Sequence, residues 1–224
     1  MDFLQPIDLY CERLSTAFWA EPLNAISNFS IIFAGLWGFY LIKKMNTSRK
    51  HLILWVKILS LNALMIGVGS FLFHTFANRW SILADVIPIT IFMVLYLGFA
   101  LRYFLGWKAS LVIGSLMIFL LIGAALDRFL PKAFLNGSGS YLHAFAVLIL
   151  ISFYLFKKNQ EPLAKTLGLA ALVFLVSLTF RSIDLWICPH FPIGTHFLWH
   201  TLNGGLLGIC IYSCSLSPKG VCPP

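Results

Sequence analysis

An all-α, polytopic membrane protein, a bundle of seven transmembrane helices, is the fold class that this sequence predicts. Three observations predict it. Of 224 residues, 59% are hydrophobic and only 11% are charged, where a soluble domain carries about 25% charged residues. Mean hydropathy is +0.87. The apolar residues also gather into stretches near the length of about 20 that crosses hydrocarbon. The N-terminal "MDFLQPIDLYCERL" lacks a basic region followed by an apolar one, so no cleavable signal peptide is expected.

The spans follow in order. The first is expected over 25–42, before "KKMNTSRK", and the second over 52–74, before "TFANRWS". The third, 82–101, stops at "RYFLGWK", and the fourth, 109–127, at "DRFLPKAFLNGSG". The fifth, 139–156, meets "KKNQEP", the sixth, 163–184, meets "CPHFPI", and the seventh covers 194–214. Each break is polar or rich in turn formers. Residues 1–24 are then an N-terminal acidic segment, 25–214 the membrane domain, and 215–224 a short tail. No repeat or low-complexity tract divides the chain.

The net charge of +8 reflects topology rather than nucleic-acid binding. Lys43, Lys44, Arg49, Lys50, Lys57, Arg102, Lys108, Lys157, Lys158, Lys165 and Lys219 fall on one side of the drawn bundle. Only Arg13, Arg79, Arg128, Lys132 and Arg181 fall on the other. The positive-inside rule places the N-terminus outside or in a lumen and the C-terminus in the cytoplasm.

On that drawing, the polar residues within spans collect in the outer half. His74 ends span two, Asp85 lies near the start of span three, and Asp184 ends span six. His196 and His200 open span seven, and Glu12 and Glu21 precede span one on the same side. An ionised Asp at a helix centre costs about 2.5–3.5 kcal/mol on insertion scales and usually faces a partner inside the bundle. A structural zinc site, worth about 10–16 kcal/mol in apparent terms, would more than offset that cost. His196 and His200 at i, i+4 share one helical face and can grip one ion, with His74 as a third nitrogen. Three protein ligands leave a position open for water, as catalytic zinc sites do. A histidine at a membrane boundary also serves as an interfacial or hydrogen-bonded core residue, and the pair alone leaves that reading open. His143, opening span five, has no assigned role. Arg181, three residues before Asp184, reads as its structural ion pair.

Four motifs in order resemble the alkaline ceramidases. "GVGSFLFH" with Asp85 beyond it is similar to their Ser-x-x-x-His…Asp stretch, and "HFLWH" to their closing His-x-x-x-His. "YCER" followed by "AEPLNAISN" resembles their Cys-Glu and Glu-x-x-Asn-x-x-Ser-Asn segments, in a form associated with bacterial members. "SIDLWIC" matches an Asp with Cys four residues later. The resemblance implies a seven-helix intramembrane zinc amidohydrolase that cleaves ceramide to a sphingoid base and a fatty acid. It implies His74, His196 and His200 as zinc ligands, Asp85 as the proton shuttle, and Ser70 as an oxyanion donor. Such roles accord with zinc lowering the pKa of water and polarising a carbonyl, and with general acid–base and oxyanion assistance. A helix-packing serine is the other reading of Ser70.

The resemblance further implies a calcium ion, for which Asp8, Glu12 and Glu21 are the oxygen donors here. The segment departs from the family pattern in the spacing of Asp8 to Cys11 and of the two glutamates, and a solvated acidic loop is the competing reading. A disulfide between Cys11 and Cys188 is implied in the same way, while Cys210, Cys214 and Cys222 read as packing or free thiols.

Other functions fit less of the chain. A zinc-dependent esterase or phospholipase of the same superfamily would use the same residues. A receptor resembling the progestin and adipoQ receptors shares the three histidines, but its N-terminus faces the cytoplasm. A transporter would employ Asp85 and Asp184 as ion sites and leave the histidines without work. The expected partner is a membrane lipid, and nothing argues for nucleic acid.

Overall fold

A computed structural model describes residues 2–45, 48–131 and 133–217. Lys132, Lys219 and Cys222 lie outside the described residues. Among those described there is no β-strand, only one antiparallel bridge pair between Pro6 and Asn78.

The helices are α1 (Pro22–Ser27), α2 (Phe29–Ile42), α3 (Lys50–Phe76), α4 (Arg79–Phe99), α5 (Ala109–Phe129), α6 (Leu142–Lys157), α7 (Glu161–Ile187) and α8 (His196–Ser215). Pro22 opens α1, a position where its missing N–H costs nothing. α1 and α2 run nearly end to end and together form the first span. The chain reverses between α3 and α4 in a few residues. Ala77 there takes a left-handed conformation that ends α3, and Asn78 with Ser81 closes a reciprocal capping box on α4. A π turn, Ala100–Phe104, extends α4, and a 3-10 segment, Phe134–Tyr141, leads into α6.

Among the described residues, six stretches are long and apolar enough to cross a membrane: Pro22–Ile42, Lys50–Phe76, Arg79–Phe104, Ala109–Phe129, Phe134–Lys157 and Glu161–Ile187. The seventh expected span is α8, which is long enough but carries His196, His200, Thr201 and Asn203. Its burial explains the difference. His196, Trp199, His200, Asn203, Leu206, Leu207, Cys210, Ile211 and Cys214 are all buried, so this face meets protein rather than lipid and has no need to be uniformly apolar.

α8 packs between α7 and α2, while α3 holds α2 on one side and α4 on the other. α5 is peripheral, with only Val112 and Phe119 buried and Leu111, Ile113, Met117 and Leu121 exposed, the outward apolar coat of a helix in lipid. Gly69 permits the closest approach in this frame, since a Cβ there would lie 1.9 Å from the Ala84 carbonyl oxygen on α4. That contact brings Ser70 of α3 and Asp85 of α4, the next residue along each helix, to one place.

Candidate active site

The three histidines converge. His74 leaves the last turn of α3, and His196 and His200 project from the first turns of α8, all at most 2% exposed. One ligand atom from each lies within 4.8 Å of the other two, and this is the metal-capable cluster found among the described residues.

Their hydrogen-bond partners decide how the rings are protonated. Ser27 Oγ donates to the Asn24 carbonyl at 2.9 Å and so meets His200 Nδ1, also at 2.9 Å, as an acceptor. His200 therefore carries its proton on Nδ1 and presents a bare Nε2. The Glu21 carboxylate accepts from His74 Nδ1 at 2.5 Å, and a neutral His74 likewise presents a bare Nε2. The two Nε2 atoms face each other 3.2 Å apart. Two lone pairs at that distance repel unless a proton or cation stands between them. The third ring favours a cation, because the buried His196 Nδ1 has no hydrogen-bond partner. A hydrogen-bond acceptor behind a ligating histidine is the usual support of a metal site, and His74 and His200 each have one. These residues fit a divalent metal of zinc type.

Glu21 is itself held from three sides. It accepts from His74, from Asn24 Nδ2 at 3.0 Å and from the buried Arg13 guanidinium. Burial pushes its carboxyl up, but His74, Asn24 and Arg13 together outweigh that and hold it below its ordinary value. His196 is supported by stacking: the Tyr10 ring lies on it with centroids 3.5 Å apart and planes 16° from parallel. Burial raises the Tyr10 phenol, against the pull of Arg181.

Beside the histidines opens a cavity of about 120 Å³. Ser70, Asp85 and His200 stand at its head, and Phe92, Leu148 and Phe174 are among its apolar walls. Tyr96 and Cys210 mark its other end, some 15 Å deeper at about 1.5 Å of helix rise per residue. The Asp85 carboxyl interacts with Ser70 and His74, yet its buried Oδ1 has no hydrogen-bond partner. An unsatisfied carboxylate oxygen at the head of an apolar cavity, next to a metal-capable cluster, suits removal of a proton from water during hydrolysis of a lipid.

The family model described as Ceramidase matches residues 7–216. The chain belongs to the ceramidase family. Membership makes it a ceramidase-like hydrolase, with a lipid as substrate and helices embedded in the membrane. No curated protein matches the chain.

The described cysteines are as expected, and other expected residues take different places. Cys11 and Cys188 form a disulfide, while Cys210 and Cys214 are free and buried. Arg181 and Asp184 do not pair. They lie at the end of α7, where their side chains diverge to different neighbours. Asp184 accepts from Cys11 N at 3.0 Å, Thr195 N at 2.7 Å and His196 N at 2.9 Å, so it caps the start of α8. Arg181 donates to the Asn136 carbonyl and Ser138 Oγ, and lies over the rings of Tyr141 and Trp199.

Of the three residues expected to hold calcium, two already have protein partners. Asp8 is exposed, whereas Glu12 and Glu21 are buried. Both Glu12 oxygens accept backbone amides, of Leu23 at 2.7 Å and Asn24 at 2.8 Å, at the start of α1. Glu21 serves His74 instead. No cluster of these three is among the metal-capable groups of the described residues. His143 packs on Phe119, with centroids 4.2 Å apart, outside the cavity lining. Tyr10, Ser27 and the link from Glu21 to His74 were not foreseen, although Glu21 and Ser27 both sit in the quoted Glu-x-x-Asn-x-x-Ser-Asn segment.

Proposed function

We propose that this chain is a zinc-dependent amidohydrolase that cleaves the N-acyl bond of ceramide or a related lipid inside the membrane. The products are a sphingoid base and a fatty acid. The observation that carries the reading is the pair of bare Nε2 atoms of His74 and His200, 3.2 Å apart, at the head of the apolar cavity. His74, His196 and His200 would hold the metal, which when bound polarises a carbonyl and lowers the pKa of water towards 7.

The remaining work falls to the chain's own side chains. Asp85 takes a proton from the attacking water through its free Oδ1 and returns it to the leaving amine. Ser70, in reach of the same carboxyl, donates to the oxygen that becomes negative as the carbonyl carbon turns tetrahedral. Glu21 and Ser27 fix the ring orientation of His74 and His200. The cavity walls take up hydrocarbon and exclude bulk water, which strengthens each of these polar contacts. The charge asymmetry of the loops supports an outward-facing site, with the N-terminus outside and the C-terminus in the cytoplasm.

The test is purified protein in detergent with a matched panel of N-acylated and O-acylated lipids, with free fatty acid detected by mass spectrometry. Release from the amides, lost after chelation and restored by zinc, is expected. Release from esters alone would overturn the amidase reading in favour of an esterase. Full activity after exhaustive metal removal would overturn the zinc assignment.

A further inference from the structure

Asn203 is one polar side chain of the cavity that this chemistry leaves unused; Tyr141, whose ring lies under Arg181, is another. Asn203 lines the cavity, is 9% exposed, and makes no hydrogen bond with any described residue. The Tyr96 hydroxyl at the far end differs, because Ser213 Oγ satisfies it at 2.7 Å. A carboxamide offers two donors and one acceptor, and at Asn203 these open onto the cavity rather than onto another side chain. Leu206 and Leu207 follow it along the cavity wall, and an apolar residue at this position would fit the lining.

Its position states what the partner is. Asn203 lies three residues beyond His200 on α8, one turn deeper and about 4.5 Å along the axis. A carbonyl placed against Ser70, Asp85 and the histidines puts the first few acyl carbons level with that amide. Both halves of such a lipid carry a hydrocarbon chain; with the acyl chain, which starts at the reacting carbonyl, in the cavity, its first carbons pass Asn203. We infer that Asn203 is a subsite for a hydroxyl on the acyl chain close to the carbonyl, and that it makes hydroxyacyl lipids the preferred substrates. The inference rests on the cavity being the acyl site of the proposed amidohydrolase.

Binding tests it without turnover. Palmitic acid, 2-hydroxypalmitic acid and 3-hydroxypalmitic acid would each displace a fluorescent fatty acid from detergent-solubilised protein. One hydroxy acid is expected to bind about tenfold tighter than the plain acid, the value of one net hydrogen bond. Asn203→Leu, checked for elution as a single species of wild-type size, should bring the ratio to about one, and Asn203→Ser should retain part of it. Equal affinities for all three acids in the wild type, or a preference that survives Asn203→Leu, overturn the subsite. Cleavage of N-acyl lipids with matched plain and hydroxylated chains separates the two claims. Cleavage without preference removes the subsite and keeps the amidohydrolase, whereas an Asn203-dependent binding preference without cleavage does the reverse.

Discussion

Glu21→Gln is the sharpest probe of how the histidines are held. The carboxylate accepts three donors: His74 Nδ1 and Asn24 Nδ2 on one oxygen, and the Arg13 guanidinium on the other. A carboxamide can present oxygen to only one of these sides and must aim its NH2 at the other. If the oxygen stays on His74, the amide points at the Arg13 guanidinium. If it flips, His74 Nδ1 faces a donor and loses its fixed tautomer. Removing a carboxylate behind a ligating histidine typically weakens metal affinity about 10–100-fold, or about 1.4–2.8 kcal/mol. Leaving buried Arg13 without its countercharge adds a separate stability loss of up to about 3–5 kcal/mol. Thermal unfolding at one scan rate, with chelator and with excess zinc, separates them. The chelated proteins differ by the Arg13 loss, and the zinc-dependent gain shrinks by the metal loss. Arg13→Met is the control: it disrupts the ion pair but leaves the carboxylate on His74, so it should keep the zinc-dependent gain. An identical gain in wild type and Glu21→Gln at subsaturating zinc would refute the reasoning.

Three further outcomes are expected. Asp85→Asn should retain its metal and lose about 10²–10⁴-fold in turnover, since an amide can neither take nor return a proton; turnover and zinc content measured in one preparation check this, and near-normal rates in a metallated variant exclude Asp85 as the shuttle. Cys188→Ser opens a link spanning 177 residues and should cost up to about 5 kcal/mol in the chain-entropy model; an unchanged melting profile would show that the N-terminal segment is held without it. Ala133→Cys and Lys158→Cys, both exposed, should differ toward an impermeant thiol reagent in intact cells, with only the former labelled. The reverse pattern would invert the topology read from the basic residues.

Much of the fold was legible because lipid imposes a simple code: long apolar stretches, polar breaks, and basic residues gathered on one side. The histidine cluster was legible for a related reason. Any polar side chain in such a stretch is costly, and the His196–His200 spacing puts two of them on one face at the depth of His74. Spacing misled at Arg181 and Asp184. Their i, i+3 relation is real, but Asp184 stands in the last turn of α7, where the amides opening α8 compete for it. Gly194 makes that possible: with a φ of +66° it turns the chain so closely over Asp184 that a Cβ would lie 2.3 Å from Oδ1. A contact made by a turn has no period to read.

The N-terminal segment shows the same limit more fully. In the sequence, residues 1–24 stand apart from the membrane domain as an acidic stretch, to whose carboxylates the family resemblance gives an ion of their own. In the fold they serve the histidines. Tyr10 stacks on His196, Glu21 accepts from His74, and Ser27, at the end of α1, meets His200. Each histidine thus has one partner drawn from the first 27 residues. Those residues are fixed in turn by Glu12 capping α1 and by the disulfide from Cys11 to Cys188. The third tie is Asp184, which holds Cys11 N together with the amides of Thr195 and His196. One carboxylate therefore joins the segment to the helix that carries two of the three histidines. An error in placing the segment would displace the rings themselves, so what reads as an appendage is the outer wall of the site.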